Sequence, residues 1–338
     1  MSNSGAGQPS TAVEQPGKSS RRRQSLLGFV AKYGSIIGMA IVVILFGIAA
    51  PRAFPTVNNF LNILNQASLT AIIAGGLTVA LIVGEMDLSV GFNASLAGVL
   101  VTGLMVQQGL PVPVAIILVL LVGVIIGIVN GYIVTKLGVN SVIATLGTGS
   151  ILVGLTFAYS TGVPIAAGVP KSFTGIALNR IGGIPNNVII MLVVLFILWV
   201  LVNRTDLGQR FQAVGGNIEA ARLSGIRVDR VKIFAFATTG VCAALTGILL
   251  ASLIGSGTAS AGDSYLLNAF AAAFLGSATL KDREFHIPGT FIGVLIIGIG
   301  FNGLAIFGAP TFYQYVFQGV ILILAVGLST VARRLADR

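Results

Sequence analysis

Long apolar runs broken by short polar punctuation dominate this chain. A helix needs about 20 apolar residues to cross the hydrocarbon layer of a bilayer. Charge-free stretches of about that size or more run from Ala53 to Gly84, Leu88 to Thr135, Leu137 to Pro170, Ile181 to Asn203, Ile233 to Gly262, Ser264 to Leu280 and Phe285 to Ala332. Turn residues divide the longest of them: Gly109, Pro111 and Pro113 split one, and Gly308 and Pro310 split another. The pattern predicts ten spans, at 34–51, 66–83, 91–108, 113–135, 140–160, 186–203, 233–255, 264–280, 288–307 and 312–332. The second, fifth and eighth carry Gly pairs, polar residues or barely enough length. The fold class expected is therefore all-α, a polytopic membrane protein of about ten transmembrane helices.

Charge placement orients these spans. With the N-terminal tail inside, the inner segments 1–33, 84–90, 136–139, 204–232, 281–287 and 333–338 hold 17 of the 20 Lys and Arg, and the outer ones hold only Arg52, Lys171 and Arg180. Cytoplasmic loops carry such an excess of basic residues. An odd number of spans would put one basic terminus outside, so both termini are expected to be cytoplasmic.

Composition agrees. Hydrophobic residues make up 55% of the 338 and charged residues 9%, where soluble domains carry about 25% charged residues. The net charge of +10 belongs to loops and tails that meet lipid headgroups, which argues against nucleic acid as a partner. Residues 1–33 read as a disordered basic cytoplasmic tail ahead of a membrane domain, 34–338. Arg21, Arg22 and Arg23 before an apolar run imitate a signal peptide, but the run is as long as a span and reads as an uncleaved first helix. A transit peptide is the alternative. Cys242 is alone and reads as a small packing residue.

An internal echo links the fourth and ninth spans. Gly123, Gly127, Asn130 and Gly131 in one correspond to Gly293, Gly298, Asn302 and Gly303 in the other. An offset of five spans is the parity of inverted five-helix repeats, as in many transporters. The other reading is that Gly, Val and Ile are common in any membrane helix.

Catalytic chemistry finds little to stand on. The sequence has no G-x-x-x-x-G-K-[ST] phosphate loop, so ATP is not held by the usual cradle. It has no His–Cys metal cluster, and its single histidine, His286, sits at a span end as an interfacial residue. Glu85, Asp87 and Asp263 also fall near span ends, away from where an ion relay would need them. No catalytic, cofactor or metal residue is assigned.

The longest polar interruption, 204–232, is the most informative segment. Asn217 is placed to cap a short helix by accepting from the amide of Glu219 or Ala220. Glu219 lies in its first turn, where a carboxylate suits the helix dipole. Ala220, Ala221, Arg222 and Leu223 are good helix formers, and Gly225 is suited to the left-handed stop. A two-turn helix with a small Ala-Ala face is expected, too short to stand alone. It either packs on its own loop or meets another protein. In the turn before the third span, Gly84 and Gly91 permit a sharp reversal and Asp87 caps at Ser89 and Val90.

Glu219, Ala220, Ala221 and Gly225 resemble the start of the EAA motif of ABC importer permeases. The longer stretch from Ala213 to Lys232 resembles the corresponding loop of the ribose-type sugar permeases. So do the turn from Gly84 to Gly91, Asn130-Gly131 with the stretch Ile143 to Thr148, and Asn302-Gly303 with Gln314, Gly319 and Ala325. The resemblance covers roughly residues 35 to 332. The chain departs from the pattern at Phe234 to Phe236, where the EAA motif ends in Leu-Pro, and at Lys281 to Pro288, where the sugar branch has a Gly-Gly-x-Gly stretch.

The resemblance implies a permease domain at 34–338 in the bacterial inner membrane, part of an importer for a monosaccharide or related small polar solute. It implies ATP-binding cassette ATPase subunits inside, a solute-binding protein outside, and a second permease copy or paralogue. ATP and Mg would sit on the ATPase, with no cofactor on this chain. Asn217, Glu219, Ala220, Ala221, Arg222 and Gly225 would form the ATPase-docking coupling helix. Neutral polar residues suit a hydroxyl-rich solute, which makes Asn65, Gln66, Asn93, Asn130, Asn302 and Gln314 pathway candidates, with interhelical bonding as the alternative for each. An ion-coupled secondary transporter is the rival function.

Overall fold

The computed structural model describes residues 36–279, 284–321 and 323. The basic tail, the Lys281 to Arg283 stretch, the end of the tenth expected span and the C-terminus lie outside the described residues. The helices are α1 (Ile36–Ala49), α2 (Val57–Ile82), α3 (Val90–Val106), α4 (Val112–Lys136), α5 (Ser141–Ser160), α6 (Lys171–Leu178), α7 (Asn186–Arg204), α8 (Asp206–Gly216), α9 (Ile218–Leu223), α10 (Val228–Ile254), α11 (Ser264–Ser277), α12 (Ile287–Ile306) and α13 (312–321). A two-stranded antiparallel ribbon, β1 (Arg180–Ile181) and β2 (Ile184–Pro185), precedes α7. The protein is thus mostly helical, and α2, α4, α5, α7, α10 and α12 are each long and apolar enough to cross a membrane.

At the centre are α2 and α10, whose middles are almost wholly buried. Small residues let their neighbours approach closely. On α4, a Cβ at Gly123 would lie 2.7 Å from the Gly240 carbonyl oxygen, and one at Gly127 2.2 Å from that of Phe236. Gly293 of α12 meets Ala272 of α11 in the same way. By contrast, α4, α5 and α7 turn large apolar residues outward, among them Ile125, Ile151 and Phe196, as lipid-facing helices do.

Two expectations, the second and eighth spans, need correction. The second span begins at Val57, not near residue 66, because Thr56 caps the amide of Asn59 and the Asn59 side chain is satisfied by the Phe54 carbonyl and by Asn302. The connection between α5 and α7 is itself structured. It holds α6, whose Phe173 and Ala177 are buried against α10 and whose backbone is bonded to Ser252.

The eighth span is shorter than a crossing. At 14 residues, α11 is about 21 Å long, against roughly 30 Å of hydrocarbon. Before it runs a non-helical segment, 256–263, laid along α3. Gly257 touches Gly98 and Thr102, and Gly262 touches Gly91 and Ser95. About seven helical residues separate those two contacts, so the segment descends about 10 Å beside α3 before α11 starts.

Candidate functional site

Thr205 caps α8 by accepting from the Gly208 amide at 3.1 Å. The helix buries Gly208, Phe211 and Val214. Its last turn lies against the end of α2, where a Cβ on Gly215 would be 1.7 Å from the Ile82 carbonyl oxygen, while Gly216 beside it faces open space. Asn217 is extended. Its amide closes α8 on Ala213, and its Oδ1 caps α9 by accepting from Ala220 at 3.0 Å.

Helix α9 is then a six-residue knuckle. Gly225 ends it at φ +81°, with its amide on the Arg222 carbonyl. Ala221 is 4% exposed and points into the protein. That corrects the expected Ala-Ala face: a helix this short needs one buried anchor, and Ala221 is it. Ile218, Glu219, Ala220, Arg222 and Leu223 point outward. Glu219 and Arg222 pair at 3.4 Å on the exposed face, where such a pair contributes little. Leu223 is 88% exposed. In sequence it is only a good helix former; the fold makes it the most exposed large apolar side chain among the described residues.

The knuckle is wired to the membrane helices. Lys232 at the start of α10 forms a mostly buried ion pair with Glu85 in the α2–α3 turn, and Lys136 at the end of α4 pairs with Asp229. Between α8 and the start of α10 lies a cleft of about 490 Å³ rimmed by Arg210, Arg227 and Arg230. None of these three makes an ion pair among the described residues.

In the α2–α3 turn, Gly84 takes φ +81° as expected. Asp87 is buried and accepts from both the amide and the hydroxyl of Ser89, at 2.9 and 2.6 Å. Its contacts stop there, because α3 begins only at Val90. Burial pushes its carboxyl up to about 6, against the pull of the Ser89 hydroxyl and amide. Gly91 does not make the reversal. It is helical, and its missing Cβ admits the Gly262 and Asp263 carbonyls.

The six pathway candidates scatter. Asn93 donates to the Gly240 carbonyl, Asn130 donates to Ser89, and Asn302 pairs reciprocally with Asn59 at 3.0 and 2.9 Å. All three are buried and tie helices to one another or to a turn. Gln314 lies half-buried on α13. Asn65 is half-buried, with its carbonyl oxygen unbonded. Gln66 lines a cleft between α2, α11 and α12.

Residues 59–326 match the family described as branched-chain amino acid transport system / permease component. The chain belongs to this transport permease family. The ribose import permease protein RbsC of Bacillus subtilis (strain 168) is 40% identical over 300 residues, which cover 88% of this chain and 92% of that protein. RbsC of Escherichia coli (strain K12) is 36% identical over 312 residues, 91% and 96% of the two chains. The D-allose transport system permease protein AlsC of the same strain is 37% identical over 300 residues, 89% and 92%. No solved structure matches. A permease of this family is a transport component of the inner membrane rather than an enzyme, and its multi-pass architecture is the one described above.

Proposed function

We propose that this chain is the membrane subunit of an ABC importer for a monosaccharide or related small polar solute. The observation that carries the reading is α9: a capped, exposed knuckle on a rigid elbow, in a chain with no phosphate loop. ATPase subunits holding ATP and Mg would seat Ile218, Glu219, Arg222 and Leu223 in a surface cleft, and Arg210, Arg227 and Arg230, without an ion pair among the described residues, would favour an acidic rim on that partner. Motion of α9 would pass through Lys232 to Glu85 and so to α2 and α3. A solute-binding protein would deliver cargo outside, and a second permease copy or paralogue would complete the transporter.

The ten-crossing topology with both ends inside belongs to this reading. Every ion pair and loop contact noted above joins segments expected on one face of the membrane, apart from the descending segment 256–263. The inverted repeat draws support from packing: α4 lies on α10 as α12 lies on α2, and α3 lies on α10 as α11 lies on α2. These are the pairs that an offset of five spans exchanges.

The relatives named for ribose, allose and xylose define the test panel. Cells carrying this chain with its ATPase and binding protein are assayed for uptake of radiolabelled D-ribose, D-allose and D-xylose. Glu219→Lys combined with Gly225→Pro should abolish co-purification of the ATPase while leaving membrane insertion intact. The proline cannot adopt a φ of +81°. Normal uptake by this variant would sink the coupling-helix assignment.

A further inference from the structure

We propose that the cleft between α2, α11 and α12 is a solute site for a neutral polyhydroxylated molecule, with Gln66, Thr70, Ser264 and Asn268 as the groups that bond its hydroxyls. This rests on the importer reading and gives it a place in the fold.

The cleft holds about 170 Å³. That is below the roughly 300–1,000 Å³ typical of drug-sized ligand pockets, and it suits one small solute. Two helices face each other across it with the same spacing. Gln66 and Thr70 are four residues apart on α2, and Ser264 and Asn268 are four apart on α11. Residues so spaced share a helix face. Tyr265 and Phe301 add aromatic surface, and no charged side chain lines the space. Asp263, next in sequence, is turned the other way, onto the Ser95 hydroxyl at 2.7 Å.

The cleft also has unused bonding capacity. Hydroxyls in apolar helices usually bond back to the preceding turn. Thr78, Thr239 and Thr246 do so here, to Ala74, Ala235 and Cys242. Thr70, 8% exposed where those three are at 0%, has no hydrogen bond among the described residues, and neither do the side chains of half-buried Asn268 and of exposed Gln66 and Ser264. The Asn268 carbonyl oxygen is buried and without a partner. An unsatisfied polar group in a membrane interior is costly, which applies to the Asn268 oxygen; with Thr70 beside it and Gln66 and Ser264 exposed to the opening, the four offer a ligand hydrogen bonds that the protein does not fill.

The chain's path explains why the cleft exists. The descending segment 256–263 replaces the outer half of a helical crossing, and α11 begins only below it. That break brings Ser264 and Asn268 beside the middle of α2, where Thr70 sits. Interrupted membrane helices build solute sites in this way in other transporters. Ser95 holds the break in place by accepting from the Gly262 amide and donating to Asp263.

The test has two arms. In the first, Asn268→Leu and Thr70→Val should each lower uptake of the transported sugar about tenfold, the loss expected for one hydrogen bond to a buried polar group. Thr70→Ser should keep it. Co-purification of the ATPase reports intact folding. In the second arm, Cys242 is replaced by Ala in the full chain, and Asn268→Cys is exposed to a water-soluble cationic thiol reagent beside the lipid-facing Phe196→Cys. Labelling at 268 but not 196, slowed by the sugar, is the expected result. No labelling at 268 in any nucleotide state, or undiminished uptake by Asn268→Leu, overturns the proposal. If the unaltered chain carries none of the three sugars, the sugar-importer reading fails by itself, and the labelling arm still decides whether the cleft is open to water.

Discussion

The two adjacent glycines at the end of α8 offer a matched pair for testing how the α8–α9 elbow is held. Alanine at 215 would place its Cβ 1.7 Å from the Ile82 carbonyl oxygen and 2.9 Å from its carbon, whereas alanine at 216 meets nothing within 4 Å. Carbon–oxygen contacts settle at about 3.3–3.6 Å, so α8 must back away from α2 by about 1.5 Å or tilt. The neighbour is backbone near the end of a buried helix and cannot swing aside. Overpacking of this kind costs about 1–3 kcal/mol, offset by up to about 1 kcal/mol from replacing a helical Gly. Gly216→Ala receives only the helical gain, so the two variants should differ by about 1–3 kcal/mol. Thermal unfolding of the purified protein in detergent measures this, with Gly215→Ala melting below the parent and Gly216→Ala at or above it. Uptake should fall in Gly215→Ala alone, since α9 rides on α8. Equal melting and equal uptake of the two variants would refute the claim that this contact sets the elbow.

Other consequences can be checked on the same material. Removing one partner of the largely buried Glu85–Lys232 pair leaves a charge unmatched, at a cost of about 3–5 kcal/mol. Glu85→Gln and Lys232→Met should therefore each lower the melting temperature more than the two combined, and additive losses in a double-mutant cycle would contradict the pairing. Asp87 holds its proton more tightly folded than unfolded, with a carboxyl pushed up to about 6 from 3.8. Its contribution is fully present below about pH 4 and is lost as pH rises to about 6, a span worth about 3 kcal/mol. Asp87→Asn should flatten that part of the pH–stability curve and raise stability at pH 7, and an unchanged curve would show that the carboxyl does not titrate there. Asn59→Leu and Asn302→Leu each strand the other's amide at about 1–3 kcal/mol, and the double variant should cost less than their sum by thermal unfolding.

Much of this protein could be read locally. The spans at 113–135, 140–160 and 186–203 coincide with α4, α5 and α7 within a residue or two, because hydrophobicity and turn residues act over a short window. The cap at Asn217, the stop at Gly225 and the turn at Gly84 were legible for the same reason. Each depends on one side chain or one φ angle close in sequence. The function was legible through the order of several such motifs along the chain.

What the sequence could not give is what distant residues decide together. Asn59 and Asn302 are 243 positions apart, and their pairing ties the start of α2 to α12. Ala221 and Ala220 are alike in sequence, and only packing turns one inward and leaves the other in solvent. Gly215 and Gly216 are likewise the same residue twice, separated in role by the Ile82 carbonyl. The run from Ser264 looked like a marginal span because apolar length says nothing of depth. Its depth is set by the small residues of 256–263 nesting along α3. Hydropathy and capping are properties of a segment and fix which parts enter the membrane. Which polar groups are satisfied and which are left facing a cleft depends on contacts between segments, and the tertiary structure alone decides that.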